Sequence, residues 1–165
     1  MFLSEITEDS KVFIDSNIFI YHFTKFEGFT NSCLEFFQRI ETGRLKGYTS
    51  TLVLAEVLHR LMIIEGSNKL GLQTKKVLEY LKANPEKITI LTDHLASSDL
   101  IEEMGIDVLA VNFRDIKLSN SLKKECKLFT NDAINLSVMK NNGFTLLASN
   151  DPDFERVDFI SLYKP

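Results

Sequence analysis

Lys11-Val12-Phe13-Ile14-Asp15-Ser16-Asn17 runs an apolar segment into a carboxylate. Val12, Phe13 and Ile14 lack polar alternation, as expected of a strand covered on both faces. Asp15 then falls just past the C-terminal end of that strand. In open α/β sheets this edge is where ligands bind. A half-desolvated acid there is costly unless something positive meets it. Asn17 follows as a candidate cap for a short helix carrying Ile18, Phe19, Ile20 and Tyr21.

Downstream, helices and strands alternate. Thr30 or Asn31 opens a helix with Cys33, Leu34, Phe36, Phe37 and Ile40 as its apolar stripe and Gly43 past its end. Residues 46–49 read as a brief strand. Ser50 or Thr51 caps a helix with Leu54, Val57, Leu58, Leu61 and Met62 at helical spacing. A further helix is expected over 70–83, ahead of Pro85. Ile88-Thr89-Ile90-Leu91 reads as a strand, 94–104 as a helix closed by Gly105, and 108–111 as a short strand or turn leading into a helix through Leu122 and Lys124. The chain is expected to finish with a helix over 131–142, a strand over 144–148 and a last short strand over 157–162. This alternation predicts an α/β fold with a parallel sheet between helices. No repeat, low-complexity tract or Pro/Gly-rich linker divides the 165 residues, so a single domain over 1–165 is expected.

Composition narrows the function. Thirteen Phe and no Trp suit a packed core. No apolar run approaches the roughly 18–20 residues that span a bilayer, so no membrane role is expected. Acids stand where a signal peptide would carry bases, so a cytoplasmic location is expected. Cys33 and Cys126 are expected to be free thiols and show no zinc spacing. A net charge of −4 argues against a protein that coats nucleic acid. It leaves room for an enzyme that touches a few phosphates around a metal ion.

Four acids sit at comparable element edges. Asp15 follows the first strand, Glu56 lies in the first turns of the third helix, Asp132 starts a helix and Asp151 follows Leu146-Leu147-Ala148. Strand C-termini and the helix N-termini after them share one edge of a parallel sheet, so distant residues can meet there. Helix N-termini also lower the cost of gathering carboxylates. Taken singly, each acid has a plain reading as a helix-start charge, a solvated side chain or a turn former. Ser16 and Asn17 are placed to orient Asp15. Thr130 and Ser149 each stand two positions before an acid, where a hydroxyl can orient it or cap a helix. Other folds that open on a strand ending in Asp fit less well. A haloacid-type phosphatase wants a second acid where Asn17 stands, a receiver domain wants an N-terminal acidic pair, and a dinucleotide enzyme wants glycines after the first strand.

Four segments in order carry a resemblance: Val12-Phe13-Ile14-Asp15-Ser16-Asn17-Ile18-Phe19, Leu54-Ala55-Glu56-Val57, Asn131-Asp132-Ala133-Ile134-Asn135-Leu136-Ser137 and Leu147-Ala148-Ser149-Asn150-Asp151-Pro152-Asp153-Phe154. In order and spacing they resemble the PIN domain nucleases, which include the VapC toxins of toxin–antitoxin pairs. The resemblance spans nearly the whole chain. It implies a three-layer α/β/α sandwich around a central parallel sheet and Mg²⁺- or Mn²⁺-dependent cleavage of RNA. It maps an acidic quartet onto Asp15, Glu56, Asp132 and Asp151, with Asp15, Asp132 and Asp151 as metal ligands and Asp153 competing for the fourth place. A small antitoxin protein and a homodimer enter as partners on the same ground. Residues 65–95 exceed what compact toxins of the family carry, which suggests a helical insertion. A stand-alone or RNA-processing member, or a non-catalytic binding module, remains the alternative.

Clustered carboxylates repel and call for cations, and all-oxygen ligands suit hard ions. Two such ions, if both bind, belong roughly 3.5–4 Å apart. His22, His59 and His94 lack ligand spacing. Only His59, three residues after Glu56, is close enough in sequence to reach the same site. Lys11, Arg60, Lys140 and Arg156 are candidates for steering phosphate.

Overall fold

The structure, a computed structural model, describes all 165 residues. Five parallel strands form one sheet in the order β3-β2-β1-β4-β5. They are β1 (Lys11–Ile14), β2 (Lys46–Ser50), β3 (Asp107–Leu109), β4 (Leu146–Ala148) and β5 (Ser161–Tyr163). Seven helices connect and flank them: α1 (Ser16–Thr24), α2 (Thr30–Glu41), α3 (Thr51–Leu70), α4 (Thr74–Ala83), α5 (Ala96–Glu103), α6 (Phe113–Cys126) and α7 (Thr130–Asn141). The expected α/β architecture with a central parallel sheet is therefore present. No helix is long and apolar enough to cross a membrane.

β1 lies at the centre, with Val12, Phe13 and Ile14 at 1 % exposure or less. It pairs on one side with β2 (Phe13 opposite Tyr48) and on the other with β4 (Ile14 opposite Ala148). The chain builds outward from β1 to β2 and β3, then returns to add β4 and β5 on the other side. The order of strands reverses between β1 and β4, which opens a crevice at their C-terminal ends.

A continuous core of 29 buried residues surrounds the sheet. Phe19 of α1 stacks on Phe37 of α2 at 5.4 Å, and Phe13 meets Phe144 at 6.1 Å. Cys33 is buried in that core, and neither cysteine is bonded. Burial pushes the Cys33 thiol up to about 12, which leaves it unreactive.

Three local expectations need correction. Residues 88–91 are not a strand: Pro85–Ile90 is a run of 3-10 helix. Ile88 and Ile90 stay 46 % and 47 % exposed, while Leu91 turns inward to a satellite cluster with Ile63, Val77 and Leu81. Pro at the first helical position pre-sets the turn, and no neighbouring strand edge is there to pair with. The helix expected over 70–83 begins only at Thr74, because α3 continues to Leu70 and Gly71 closes it at φ 64°. The last strand is Ser161–Tyr163; Pro152–Arg156 takes a 3-10 turn before it.

Candidate active site

Asp15 is the N-cap of α1, two positions before the Asn17 expected there. Its Oδ1 accepts from Ser16 N at 2.8 Å, and its side chain is 8 % exposed. Two further donors hold Oδ2: Ser149 Oγ at 2.7 Å and Asn17 Nδ2 at 2.6 Å. The Ser149 hydroxyl itself accepts from Asn17 Nδ2 at 3.0 Å and from Asp151 N at 3.1 Å. Asn17 Oδ1 accepts from Asn150 N at 3.1 Å. The loops after β1 and β4 are thereby laced together across the crevice. Burial pushes the Asp15 carboxyl up to about 6, partly countered by the Ser149 and Ser16 hydrogen bonds, with the charges of Glu56 and Asp151 adding to the rise.

Asp132 stands in the first turn of α7, half-buried. Its carboxyl is pushed up to about 7, first by burial and then by the charges of Asp15, Asp151, Glu56 and Asp153. Five acids from four separate segments therefore converge within Coulombic reach. None of Asp15, Glu56, Asp132 and Asp151 forms an ion pair with a lysine, arginine or histidine. Only Asp153 is paired, with Arg156. The acids face one another without closing into a ready cage of three ligands.

Asp151 caps the 3-10 turn that follows β4, its Oδ1 accepting from Asp153 N at 2.8 Å. It acts on both Asp15 and Asp132, whereas Asp153 acts on Asp132 alone. Glu56 enters from α3, whose start is fixed by Ser50: its hydroxyl accepts from Val53 N at 3.1 Å. Ser50 Oγ in turn donates to Asn135 Oδ1 of α7 at 2.8 Å. This buried bridge locks the helix bearing Glu56 to the helix bearing Asp132. Sequence reading missed it; the polar Asn135 amid the apolar face of α7 was its one signal.

Other residues fall elsewhere. Thr130 Oγ1 accepts from Lys123 Nζ at 2.8 Å. Ser16 reaches Asp15 through its backbone N–H. Lys11 opens β1 at the opposite end of the strand from Asp15, about 10 Å or more away at strand spacing, so it does not belong to this edge. Lys140 lies over the Phe159 ring at 5.1 Å. His59 is exposed; burial lowers His22, which packs edge-on to Phe37. His94 belongs to a separate feature with Glu65 on α3. Glu65 accepts from Thr92 N and Asp93 N, from His94 N, and from Lys69 Nζ at 2.7 Å, with His94 Nδ1 also 2.7 Å away. A cavity of about 420 Å³ beside it is lined by residues such as Phe23, Leu61, Lys69 and Leu100 and by none of the five converging acids.

An all-carboxylate donor set with no cationic side chain in contact fits a hard divalent ion, which takes one or two carboxylates and keeps its waters. It does not fit zinc, for which no Cys or His is at hand.

Known proteins resemble this chain along most of its length. Residues 12–160 match the model of the PIN domain family. The chain is 30 % identical over 158 residues to Ribonuclease VapC2 of Methanocaldococcus jannaschii, which covers 94 % of each protein. Among solved structures, Mycobacterium tuberculosis VapC20, described as a sarcin–ricin loop cleaving toxin, superposes with a TM-score of 0.59 at 15 % identity over 90 % of this chain and 96 % of that one. VapBC2 from Rickettsia felis, solved bound to a DNA fragment from its promoter, superposes with a TM-score of 0.56 at 16 % identity over 93 % and 98 %.

Proposed function

We propose that this chain, which belongs to the PIN domain family, is a divalent-metal-dependent endoribonuclease and the toxin of a toxin–antitoxin pair. The observation that carries the reading is the convergence of Asp15, Glu56, Asp132 and Asp151 from four segments onto one edge, none of them in an ion pair, with the Asp132 carboxyl raised by burial and by its acidic neighbours. A protein does not gather unpaired carboxylates at the topological switch point of a sheet without electrostatic cost. A bound cation would repay that cost. The ribonuclease name of the relative aligned over 94 % of the chain supports RNA as substrate.

Asp15, Asp132 and Asp151 would hold Mg²⁺ or Mn²⁺. When bound, such an ion supplies Lewis-acid chemistry, stabilising charge on the phosphate and making a water more acidic. The chain does the positioning. Ser149, Asn17 and the Ser16 N–H fix both Asp15 oxygens, so this ligand is oriented before any ion or substrate arrives. Glu56 and Asp151 would orient an attacking water. The Ser50–Asn135 bridge keeps Glu56 and Asp132 in fixed relation. We read the whole chain as one such domain, with α4 and the 3-10 turns after it as a helical insertion. A small antitoxin protein and a second copy of the chain are the partners of this reading.

The test is direct. Purified wild-type protein is assayed on single-stranded and structured RNA with Mn²⁺, with Mg²⁺ and with chelator, beside Asp15→Asn. Cleavage that needs the ion and vanishes in the variant is expected. Undiminished cleavage by Asp15→Asn, or cleavage in chelator, overturns the proposal.

A further inference from the structure

Phe129 is the most exposed large apolar side chain of the molecule, at 75 %. It occupies the N-cap of α7, a position favouring Ser, Thr, Asp or Asn because their side chains accept a helix N–H. Phe129 makes no such bond. The chain thus gives up a cap and keeps an aromatic ring in water, three residues before Asp132.

Basic side chains hold the loop that carries the ring. Lys127, with φ 55°, ends α6 two residues earlier. Lys123 Nζ donates to Thr130 Oγ1 at 2.8 Å. Arg156 Nη1 donates to Lys127 O at 2.8 Å, and Arg156 Nη2 pairs with Asp153, one of the acids that act on Asp132. Arg156 therefore ties the Phe129 loop to the acid cluster. In a chain of net charge −4, the loop that carries this exposed ring thus holds Lys127 and is contacted by Lys123 and Arg156, and its far end lies within three residues of Asp132.

We infer that Phe129 is a base-stacking residue: its ring takes the face of one unpaired RNA nucleobase beside the scissile phosphate, while Lys123, Lys127 and Arg156 meet the flanking phosphates. Every nucleobase has a π-face, so a lone aromatic in a basic setting selects for unstacked bases rather than for a sequence. Within a duplex both faces of a base are already covered, so a single strand, loop or bulge is the substrate that fits. The inference rests on the ribonuclease reading and adds to it the residue that takes the base.

The absence of tryptophan from the chain supplies the probe. Phe129→Trp introduces a single indole at an exposed position. Its emission is expected to be quenched by an unpaired oligoribonucleotide, and not by a duplex of the same length or by an abasic oligomer that offers phosphates alone. Phe129→Ala, whose fold is checked by its melting temperature, is expected to raise KM roughly 5- to 150-fold with little change in kcat, the loss of one base–aromatic stack. Phe129→Tyr should restore KM. Unchanged KM in Phe129→Ala overturns the assignment, as does equal quenching by the abasic oligomer. A Phe129→Ala protein that handles RNA as wild type does but loses a protein partner overturns it too. Quenching by single strands without cleavage by the wild type would instead refute the nuclease reading and leave the stack standing.

Discussion

Ser149 Oγ donates to Asp15 Oδ2 at 2.7 Å, joining residues 134 positions apart in the chain. The same hydroxyl accepts from Asn17 Nδ2 and Asp151 N, so it is held in one orientation by the loop it belongs to and by the loop it contacts. Ser149→Ala leaves Asp15 Oδ2 with Asn17 alone, and leaves Asn17 Nδ2 and Asp151 N without the hydroxyl they share, so the carboxylate is held less firmly. Partners that orient a metal ligand are worth about 10–100-fold in affinity or activity. The variant is expected to need a higher Mn²⁺ concentration for half-maximal cleavage by that order, with its melting temperature near that of the wild type. A metal titration of cleavage, run beside a thermal melt, checks both.

The unpaired acids also predict how the fold responds to a cation. A ligand that binds only the native state at about 100 times its dissociation constant adds about 2.7 kcal/mol. For a protein of this size that raises the melting temperature by about 5–10 °C. Asp15→Asn removes a buried charge that repels Glu56 and Asp151. It is expected to melt higher than wild type in chelator and to lose most of the Mn²⁺-induced rise. Equal rises in the two proteins, measured by scanning calorimetry, would rule out Asp15 as a ligand.

Both outcomes bear on what a sequence can reveal. β1 was legible because Val12, Phe13 and Ile14 bury both faces and so form an unbroken apolar run, and Asp15 marks its end. Spacing alone placed Ser149 near an acid. It could not say which one, since the partner across the crevice is set by sheet order. Ile88-Thr89-Ile90 misled because three residues alternate equally well on a strand and on the exposed side of a 3-10 turn; Pro85 and the want of a strand edge decided for the turn. The cap of α1 fell two residues early, on Asp15 instead of Asn17, because an aspartate ending a strand satisfies the next helix as readily as an asparagine after it. Of the Glu65 hub only Lys69, one turn on, is local in sequence; its other partners lie 27 to 29 residues away.

Gly66 shows how tightly α4 is held against α3. A Cβ there would stand 2.7 Å from Val77 Cγ1, inside the satellite cluster. Gly66→Val adds three carbons where one already collides. Overpacking of this kind costs typically about 1–3 kcal/mol, and the better helix propensity of valine returns only a few tenths. Chemical denaturation is expected to show that loss. Proteolysis is expected to nick the α4 region sooner, because α4 is the element pushed away. Unchanged stability would mean that α4 shifts freely, contrary to its buried Val77 and Leu81.

Glu65 gives the pH dependence its sign. Burial by itself would raise this carboxyl, but hydrogen bonds from Lys69, from His94 and from the Asp93 and His94 N–H groups override it and hold the group down at about 2, below its ordinary 4.5. A carboxylate depressed by folding stabilises the native state above its unfolded value, and that contribution drains away as the pH falls through the folded one. The window is therefore about pH 4.5 down to about 2. Glu65→Gln cannot carry the charge that draws these donors together, and it strands them in a buried place at a cost of about 2–3 kcal/mol at neutral pH. Denaturant melts of the two proteins should differ by that amount from pH 7 down to pH 5. Below that the curves should approach each other, because protonation strips the wild type of the same charge the substitution removed. A gap that stayed constant to pH 2 would mean that Glu65 contributes by shape alone. His94 lies 2.7 Å from the carboxylate and would then hold the 92–95 turn against α3 without its help.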